Sequence, residues 1–521
     1  FYKYYKADDR QAYADVMANI NKRFGDLSLS ANIGGSFTQT YYDERGFQGG
    51  LKDMSNVFSL YNMTTTLDKD TYPIESGYKQ RTNSIFASVE IGWKSMLYMT
   101  LTGRNDWDSA LINTEQSSFF YPSIGLSGVI SEMVKLPKAI TYLKVRGSFA
   151  SVGAPIPKNL SSNKTYEWDP ATSQWKLQTY RPLPKLYPER TNSWEAGLNA
   201  KFFNNSLSLE VTWYKANTRK QTFQVPLSGT AVYATMYAQS GNIENKGMEF
   251  SLGYNKSWGD FSWNSNLTFS FNKNKIVELL DDAVDDEGNH YSLNEIDKGG
   301  IGSAKVILRK GGSMGDMYVT NRLKRDNEGN VYIDKASQNV KKEDIKNSDE
   351  FIHIGSVLPK SNLGFRNDFS YKGISLGFML AARFGGIVIS PTQAVMDQFG
   401  VSKVTALARD NEGVPVNNGK VDPQTYYTEV GGISGLMSNY VYSATNVRLQ
   451  ELSVGYSLPA KWFNNKCNLS LSITGHNLWM IYNKAPFDPE ATASTGTYYQ
   501  GVDYFMQPSL RSWGFNVKIQ F

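Results

Sequence analysis

The C-terminal run SWGFNVKIQF places Trp513, Phe515, Val517, Ile519 and Phe521 on one face of an extended chain, and Ser512, Gly514, Asn516, Lys518 and Gln520 on the other. A period of two marks a strand with one apolar and one polar face. Just upstream, LSVGYSLPAKWFNNKCNLSLSIT holds two more alternating runs on either side of a Pro-containing connection, which predicts antiparallel neighbours. The same unit recurs in pairs. Asp15 to Phe24 and Leu27 to Thr38 meet at Gly25-Asp26, Arg81 to Lys94 is followed by Leu97 to Trp107, and Pro122 to Ile130 precedes Ile140 to Val152. Arg190 to Phe203 turns at Asn204-Asn205 into Ser206 to Gln224, Lys246 to Trp258 at Gly259-Asp260 into Phe261 to Ile276, and Leu363 to Tyr371 at Lys372-Gly373 into Ile374 to Phe384.

Between the pairs lie long, polar, aromatic-rich stretches: Gln39 to Gln80, Gly153 to Glu189, Val277 to Asn362, Gly385 to Thr445 and Tyr482 to Leu510. Short turns at one end of the strands and long loops at the other are the asymmetry of a transmembrane antiparallel β-barrel, with periplasmic turns and extracellular loops. The predicted fold class is therefore all-β. A periplasmic C-terminus sends the last strand downward, and counting back gives roughly fifteen spanning strands with the first also downward. An odd count that starts at the outer surface predicts that residues 1–521 are the C-terminal portion of a barrel, beginning inside an extracellular loop. On this reading the first strands and a lumen-filling plug domain lie outside the chain, and about seven more strands would complete the roughly 22-stranded, plugged class.

One strand departs from the pattern. In NVRLQELSVGYSLP the apolar phase is odd at Val447 and Leu449 but even at Leu452, Val454, Tyr456 and Leu458, so the phase slips at Gln450-Glu451. The preferred reading is that the strand leaves the bilayer there. The alternative is a β-bulge that re-aims the side chains.

Composition supports the barrel. Aromatics make up 13% of the chain, with 32 Tyr, 27 Phe and 11 Trp, yet the mean hydropathy is -0.42. Many aromatics with a hydrophilic average suit strands that are half wet and girdled by interfacial rings. No apolar stretch approaches the ~20 residues of a transmembrane helix, and FYKYYKADDR is not a signal peptide. The net charge of +5 is mild and scattered, which gives no support to nucleic-acid binding.

Candidate chemistry is sparse. The single Cys467 excludes an intramolecular disulfide and a CxxC zinc site. His290, His353 and His476 lack metal-ligand spacing, and no serine or acid is tied to His476 by sequence. No metal, cofactor or catalytic residue is therefore assigned. Asp281, Asp282, Asp285, Asp286 and Glu287 miss the EF-hand spacing and read as a solvated loop. DNEGN at Asp326 and DNEG at Asp410 read as tight turns. Pro391 to Arg409 has a helical pattern and predicts one short helix on the extracellular side, packed on loops or on a lid.

Several segments together resemble one family, the SusC/RagA-type TonB-dependent transporters of Bacteroidota outer membranes. They are LYPERTNSWEAGLNAKFFNNSLSLEVTWYKANTRKQ, NIENKGMEF, NDFSYKGISLGFMLAARFGG, PTQAVMDQFGVSKVTALARD, NVRLQELSVGYSLP and GHNLWMIYNKAPFDPE. The family's N-terminal extension, TonB box and plug have no counterpart here. The resemblance implies a nutrient importer rather than an enzyme: a multi-pass barrel in the outer membrane, lidded by a SusD-like surface lipoprotein and energised by TonB through the N-terminal region. It further implies an oligosaccharide or peptide ligand and a dimer of such pairs. Glycan import leads; a peptide, siderophore or cobalamin importer and a passive porin or adhesin are the alternatives.

Ligand contacts are expected on loops or at the outer end of the lumen face. Trp168, Trp175, Tyr180 and Tyr187 crowd one loop, where rings could stack on sugars; packing of the loop or lid is the plainer reading of any one of them. Arg104, Asn105, Asp106 and Asp108 surround Trp107 at a strand end, as sugar contacts or, preferably, as a loop-anchoring charged cluster. Tyr498, Tyr499 and Tyr504 in the last loop are ligand contacts or interfacial rings.

Overall fold

The computed structural model describes every residue except 1, 65–70, 113, 115, 157–159, 161–165, 170–173, 178–179, 182–186, 227–234, 285–289, 330, 335, 337–339, 417–418, 465 and 495–500. Its wall is a run of strands, each hydrogen-bonded to the next: β1 (Tyr2–Phe24), β2 (Leu27–Gly49), β3 (Tyr72–Trp93), β4 (Leu97–Asp108), β5 (Ser118–Val129), β6 (Ile140–Ala154), β7 (Glu189–Phe202), β8 (Leu207–Pro226), β9 (Thr235–Trp258), β10 (Phe261–Glu278), β11 (Ser361–Tyr371), β12 (Ile374–Phe384), β13 (Asn446–Ser457), β14 (Asn468–Asn483) and β15 (Ser512–Gln520). The sheet has 16 strands, the extra one being Tyr180–Arg181, which pairs in parallel with the start of β9. Among the described residues β1 and β15 each have one wall neighbour.

All the predicted pairs form, and Gly25-Asp26, Asn204-Asn205, Gly259-Asp260 and Lys372-Gly373 turn between their strands as expected. The strands run further than the alternation indicated. β1 and β2 have 23 residues each, whereas a tilted membrane crossing needs only about 9–11. Much of the stretch from Gln39 to Gln80 therefore continues the ladder, with Gln39 opposite Arg81 and Gln48 opposite Tyr72. Polar side chains cost nothing on a strand that has left the bilayer, so the amphipathic signal fades while the hydrogen bonds continue.

The two faces differ as a barrel requires. Trp194 of β7 meets Phe149 of β6 at 4.7 Å on the apolar face, and Tyr254, Trp263 and Phe369 form a row with ring separations of 4.9 and 6.0 Å. Phe24, Trp93, Phe203, Trp258 and Tyr371 stand exposed beside the tight turns, the position of an interfacial aromatic girdle.

The buried core lies at the opposite end. Segment 279–360 builds a four-stranded sheet from Glu295–Ile301, Ala304–Arg309, Asp316–Val319 and Ile352–Ser356. Val306, Leu308, Met317 and Val319 of that sheet pack with Ile389, Ala394 and Met437 of segment 385–445, with Val502 of segment 484–511, and with Phe223, Ile243 and Ile276 from the outer ends of β8, β9 and β10. Three long connections thus share one hydrophobic core and form a folded cap, where the sequence reading had polar loops.

The helix expected over Pro391 to Arg409 is two helices, α1 (Pro391–Gln398) and α2 (Lys403–Asp410), and a third, α3 (Pro423–Val430), follows. The break falls at Gly400-Ser402, where the Ser402 side chain caps α2 by accepting from the Thr405 amide at 3.2 Å. DNEGN turns as expected, with the Glu328 amide donating to the Asp326 carboxylate at 3.0 Å.

The slip in β13 is a bulge, contrary to the preferred reading. Glu451 lies opposite Met379 and Leu449 opposite Leu380, so Gln450 has no partner on β12. On the other side Glu451 faces His476 and Leu449 faces Trp479. One extra residue reverses the phase, and so Arg448 and Asn446 join Glu451 and Ser453 on the polar face.

Candidate functional site

The polar face of the wall lines the lumen in a barrel, and its most elaborate cluster spans β6 to β11. Arg146 of β6 donates to Asn199 of β7 at 3.2 Å, and to Glu210 and Thr212 of β8 at 3.0 and 2.8 Å. It reaches β8 across β7 because Gly197 lies between: a Cβ there would sit 2.6 Å from the Arg146 Nε. Glu195, Glu249, Ser251, Thr268, Ser270 and Asn362 complete a cavity of about 520 Å³. A second cluster links Arg366 of β11 to Asp368 at 2.9 Å and to Glu451 of β13 at 3.3 Å. These ion pairs are half-exposed and contribute little to stability. Their effect is to hold hydrogen-bonding groups on the inner surface.

Register also supplies what sequence spacing could not, an acid and a serine for His476. Glu451, His476 and Ser512 stand in one row across β13, β14 and β15. His476 Nδ1 is 3.9 Å from Glu451, beyond the roughly 2.6–3.2 Å of a working base relay.

The nominated ligand contacts divide. Trp168 and Trp175 stand opposite each other in a hairpin formed by Tyr166–Asp169 and Gln174–Leu177, with Trp175 exposed. Tyr180 pairs with Thr235 at the start of β9. Tyr187 is an anchor: its backbone exchanges two hydrogen bonds of 2.6 Å with the Gln239 amide, and Lys220 lies 4.1 Å from its ring centroid. Tyr498 and Tyr499 lie outside the described residues; Tyr504 is exposed and meets Phe505 at 5.1 Å.

Arg104 and Asp106 face the lumen, whereas Trp107, between Asp106 and Asp108, is on the other face of β4 and cannot share a ligand with them. Arg104 donates to Asp106 and to Ser84, each at 2.7 Å, and the Tyr121 hydroxyl donates to Asp106. Asp108 is buried and accepts from Thr82 at 2.6 Å, Gln80 at 3.0 Å and the Ala110 amide at 2.8 Å. The geometry is that of an anchor at the end of β4, tying the start of the following connection at Ala110. Asp281 of the acidic run accepts from Ser292 at 3.3 Å, while Asp285, Asp286 and Glu287 lie outside the described residues.

A stronger latch was missed. Arg448, re-aimed by the bulge, makes a two-pronged contact with Asp488 at 3.0 and 3.2 Å and approaches Glu490 at 3.3 Å. Asn446 accepts from Arg448 at 3.1 Å and donates to Glu490 at 3.1 Å. The Arg448 and Asp488 side chains are 7% and 8% exposed. Burial raises the Asp488 pKa, but donation from Ser509, the Glu490 amide and Arg448 outweighs it and holds the carboxyl below its ordinary value. The only signal in the sequence was the phase slip at Gln450 two residues from an arginine. The other flank of the same loop is tied to α1, where the Ser390 hydroxyl donates to the buried Asp503 at 2.6 Å.

An antiparallel wall with an aromatic-girdled apolar face, a hydrogen-bonding inner face, tight turns at one end and a folded cap at the other defines a β-barrel of the outer membrane. The chain belongs to the TonB dependent receptor-like, beta-barrel family, matched over residues 2–303. It is 26% identical to TonB-dependent receptor P3 of Formosa agariphila over 96% of this chain and 51% of that protein. To TonB-dependent receptor SusC of Bacteroides thetaiotaomicron it is 23% identical, over 84% of this chain and 43% of that protein. The RagAB peptide importer in its open-open state shares the fold, with a TM-score of 0.75 at 18% identity over 99% of this chain and 54% of that one. The resemblance to SusC/RagA-type proteins read from the sequence therefore holds. The chain spans about half the length of the curated relatives it matches.

Proposed function

We propose that this barrel forms the wall and cap of an active importer that moves oligosaccharides across the outer membrane, with a SusD-like surface lipoprotein as its lid and TonB as its source of energy. The observation that carries the reading is the shared apolar core of segments 279–360, 385–445 and 484–511. A passive pore needs an open polar lumen, whereas a rigid outer platform suits repeated docking of a lid. Hydroxyl and amide groups such as Thr212, Ser251, Thr268, Ser270 and Asn362 along the inner cavity suit a polyhydroxyl cargo. The similarity to SusC points the same way. A peptide cargo is the second reading, favoured by Arg146, Glu195 and Glu249 in that cavity, which could meet charged peptide groups. It is also the cargo named for RagAB.

The test is purification of the full-length protein from its native membrane, followed by calorimetry of the isolated complex against oligosaccharide and peptide panels. Co-purification of a SusD-like lipoprotein with binding confined to oligosaccharides is expected. Binding confined to peptides would replace the cargo, and a lone barrel that admits solutes in cells lacking TonB would overturn active import.

A further inference from the structure

We propose that the corner where α1, α2 and α3 meet is a binding site for a single neutral sugar unit, on the cap and separate from the lumen. None of the residues lining this pocket of about 330 Å³ belongs to the wall. Its volume is at the lower end of the roughly 300–1,000 Å³ of small-molecule sites.

The pocket carries a buried carboxylate. Asp397 is 4% exposed; it accepts from the Gln393 amide at 2.7 Å and from the Tyr440 hydroxyl, whose pKa is pushed well up by burial and by Asp397. No ion pair to Asp397 forms among the described residues. Across the pocket, exposed Arg409 donates from one Nη to the Gly400 carbonyl at 3.0 Å, leaving further N–H groups of its fork available. Gly432 leaves room for the Gln398 amide, since a Cβ there would sit 2.4 Å from its Oε1, at a φ of +79°. Tyr427 forms part of the wall of the pocket, and the Phe399 ring, 73% exposed, stands at its rim.

The donor set selects the ligand class. Asp397 disfavours a simple anion and Arg409 a simple cation, and a zwitterion would have to strip its ammonium of water to reach a carboxylate that is 4% exposed. A metal ion is equally unsuited, since no group of three or more ligating side chains occurs among the described residues. A neutral polyol satisfies both sides. Two adjacent hydroxyls donate to the Asp397 carboxylate, others accept from Arg409 and Gln398, and a ring face packs on Phe399. The site is independent of the cargo that crosses the lumen.

The experiment is saturation-transfer NMR on the full-length protein in detergent, with the methyl glycosides of glucose, galactose, mannose and xylose as probes and trialanine as competitor. At least one glycoside is expected to bind, and Arg409→Ala and Phe399→Ala, both at exposed positions, should each weaken it by about tenfold. Lys461→Ala, exposed in the connection between β13 and β14, should leave that binding unchanged, and trialanine should not compete. No binding by any of the four glycosides, full binding by both cap variants, loss with Lys461→Ala, or displacement by trialanine would each overturn the proposal. Uptake of the lumen cargo by cells carrying Arg409→Ala, measured alongside, reads the import proposal separately.

Discussion

Replacing Arg448 by Met should release the last long loop from the wall. Met keeps much of the apolar stem but removes the guanidinium, leaving Asp488 buried and facing Glu490 without a counter-charge. Breaking a buried pair in this way costs about 3–5 kcal/mol. The contact joins a loop to a strand end, so the cost should appear as local opening of segment 484–511 rather than as failure of the barrel. At about 1.4 kcal/mol per decade, the opening equilibrium rises by roughly two to four orders of magnitude. Hydrogen exchange on the full-length protein reads this at the Ala491 and Ala493 amides, which donate to Asp488 and Val502 at 3.1 and 2.8 Å. A double variant, Arg448→Met with Asp488→Leu, removes both charges and should recover much of the protection, because a buried ion pair can often be exchanged for packed apolar groups. A rise in exchange of less than about threefold in the single variant would refute the reasoning, since a pair worth so little is not a latch. A double variant as open as the single would show that shape, and not charge, holds the loop.

Three further outcomes follow from the same geometry. The Asp488 carboxyl is held below its ordinary value of 3.8, so its stabilisation is complete above that pH and lost as pH falls through the lowered value; exchange in 484–494 should rise only in that acid range, and loosening already at pH 6 would contradict it. Deleting Gln450, which has no partner on β12, should remove the bulge and restore unbroken alternation in β13 with Arg448 and Asn446 still on the polar face beside Glu451, so segment 484–511 should stay as protected from exchange as in the parent protein; an open loop like that of Arg448→Met would mean that the bulge's local geometry, and not the phase, aims Arg448. Met437→Ala empties a fully buried position shared by the connections of the cap and should cost about 2–5 kcal/mol, seen as faster proteolysis of 279–360 and 385–445 with the wall strands still protected; equal loss of protection in the wall would show that cap and barrel unfold as one unit.

The wall was legible because each of its residues answers a local question. Trp263 and Phe269 alternate with Asn264 and Ser270 because one face meets lipid and the other water, and Gly259-Asp260 or Lys372-Gly373 supplies the turn between two such runs. The cap was not legible, because its core has no period. Val306, Met437 and Val502 come from three connections far apart in sequence and meet only once the wall has brought their ends together. The nominated contacts are divided for a similar reason. Trp107 is adjacent to Asp106 in sequence but lies on the opposite side of the wall, while Arg448 and Asp488 are in contact although 40 positions separate them.

Alternation of side chains along an extended backbone is a property of the chain itself, so the sequence by itself determined the strands, their order, their two faces and the class of membrane protein. Which groups come together depends on register and on the closure of long connections. Tertiary structure alone therefore decided the bulge at Gln450, the latch at Arg448 and the pocket at Asp397, because each results from one residue's shift in pairing or from contacts between distant segments.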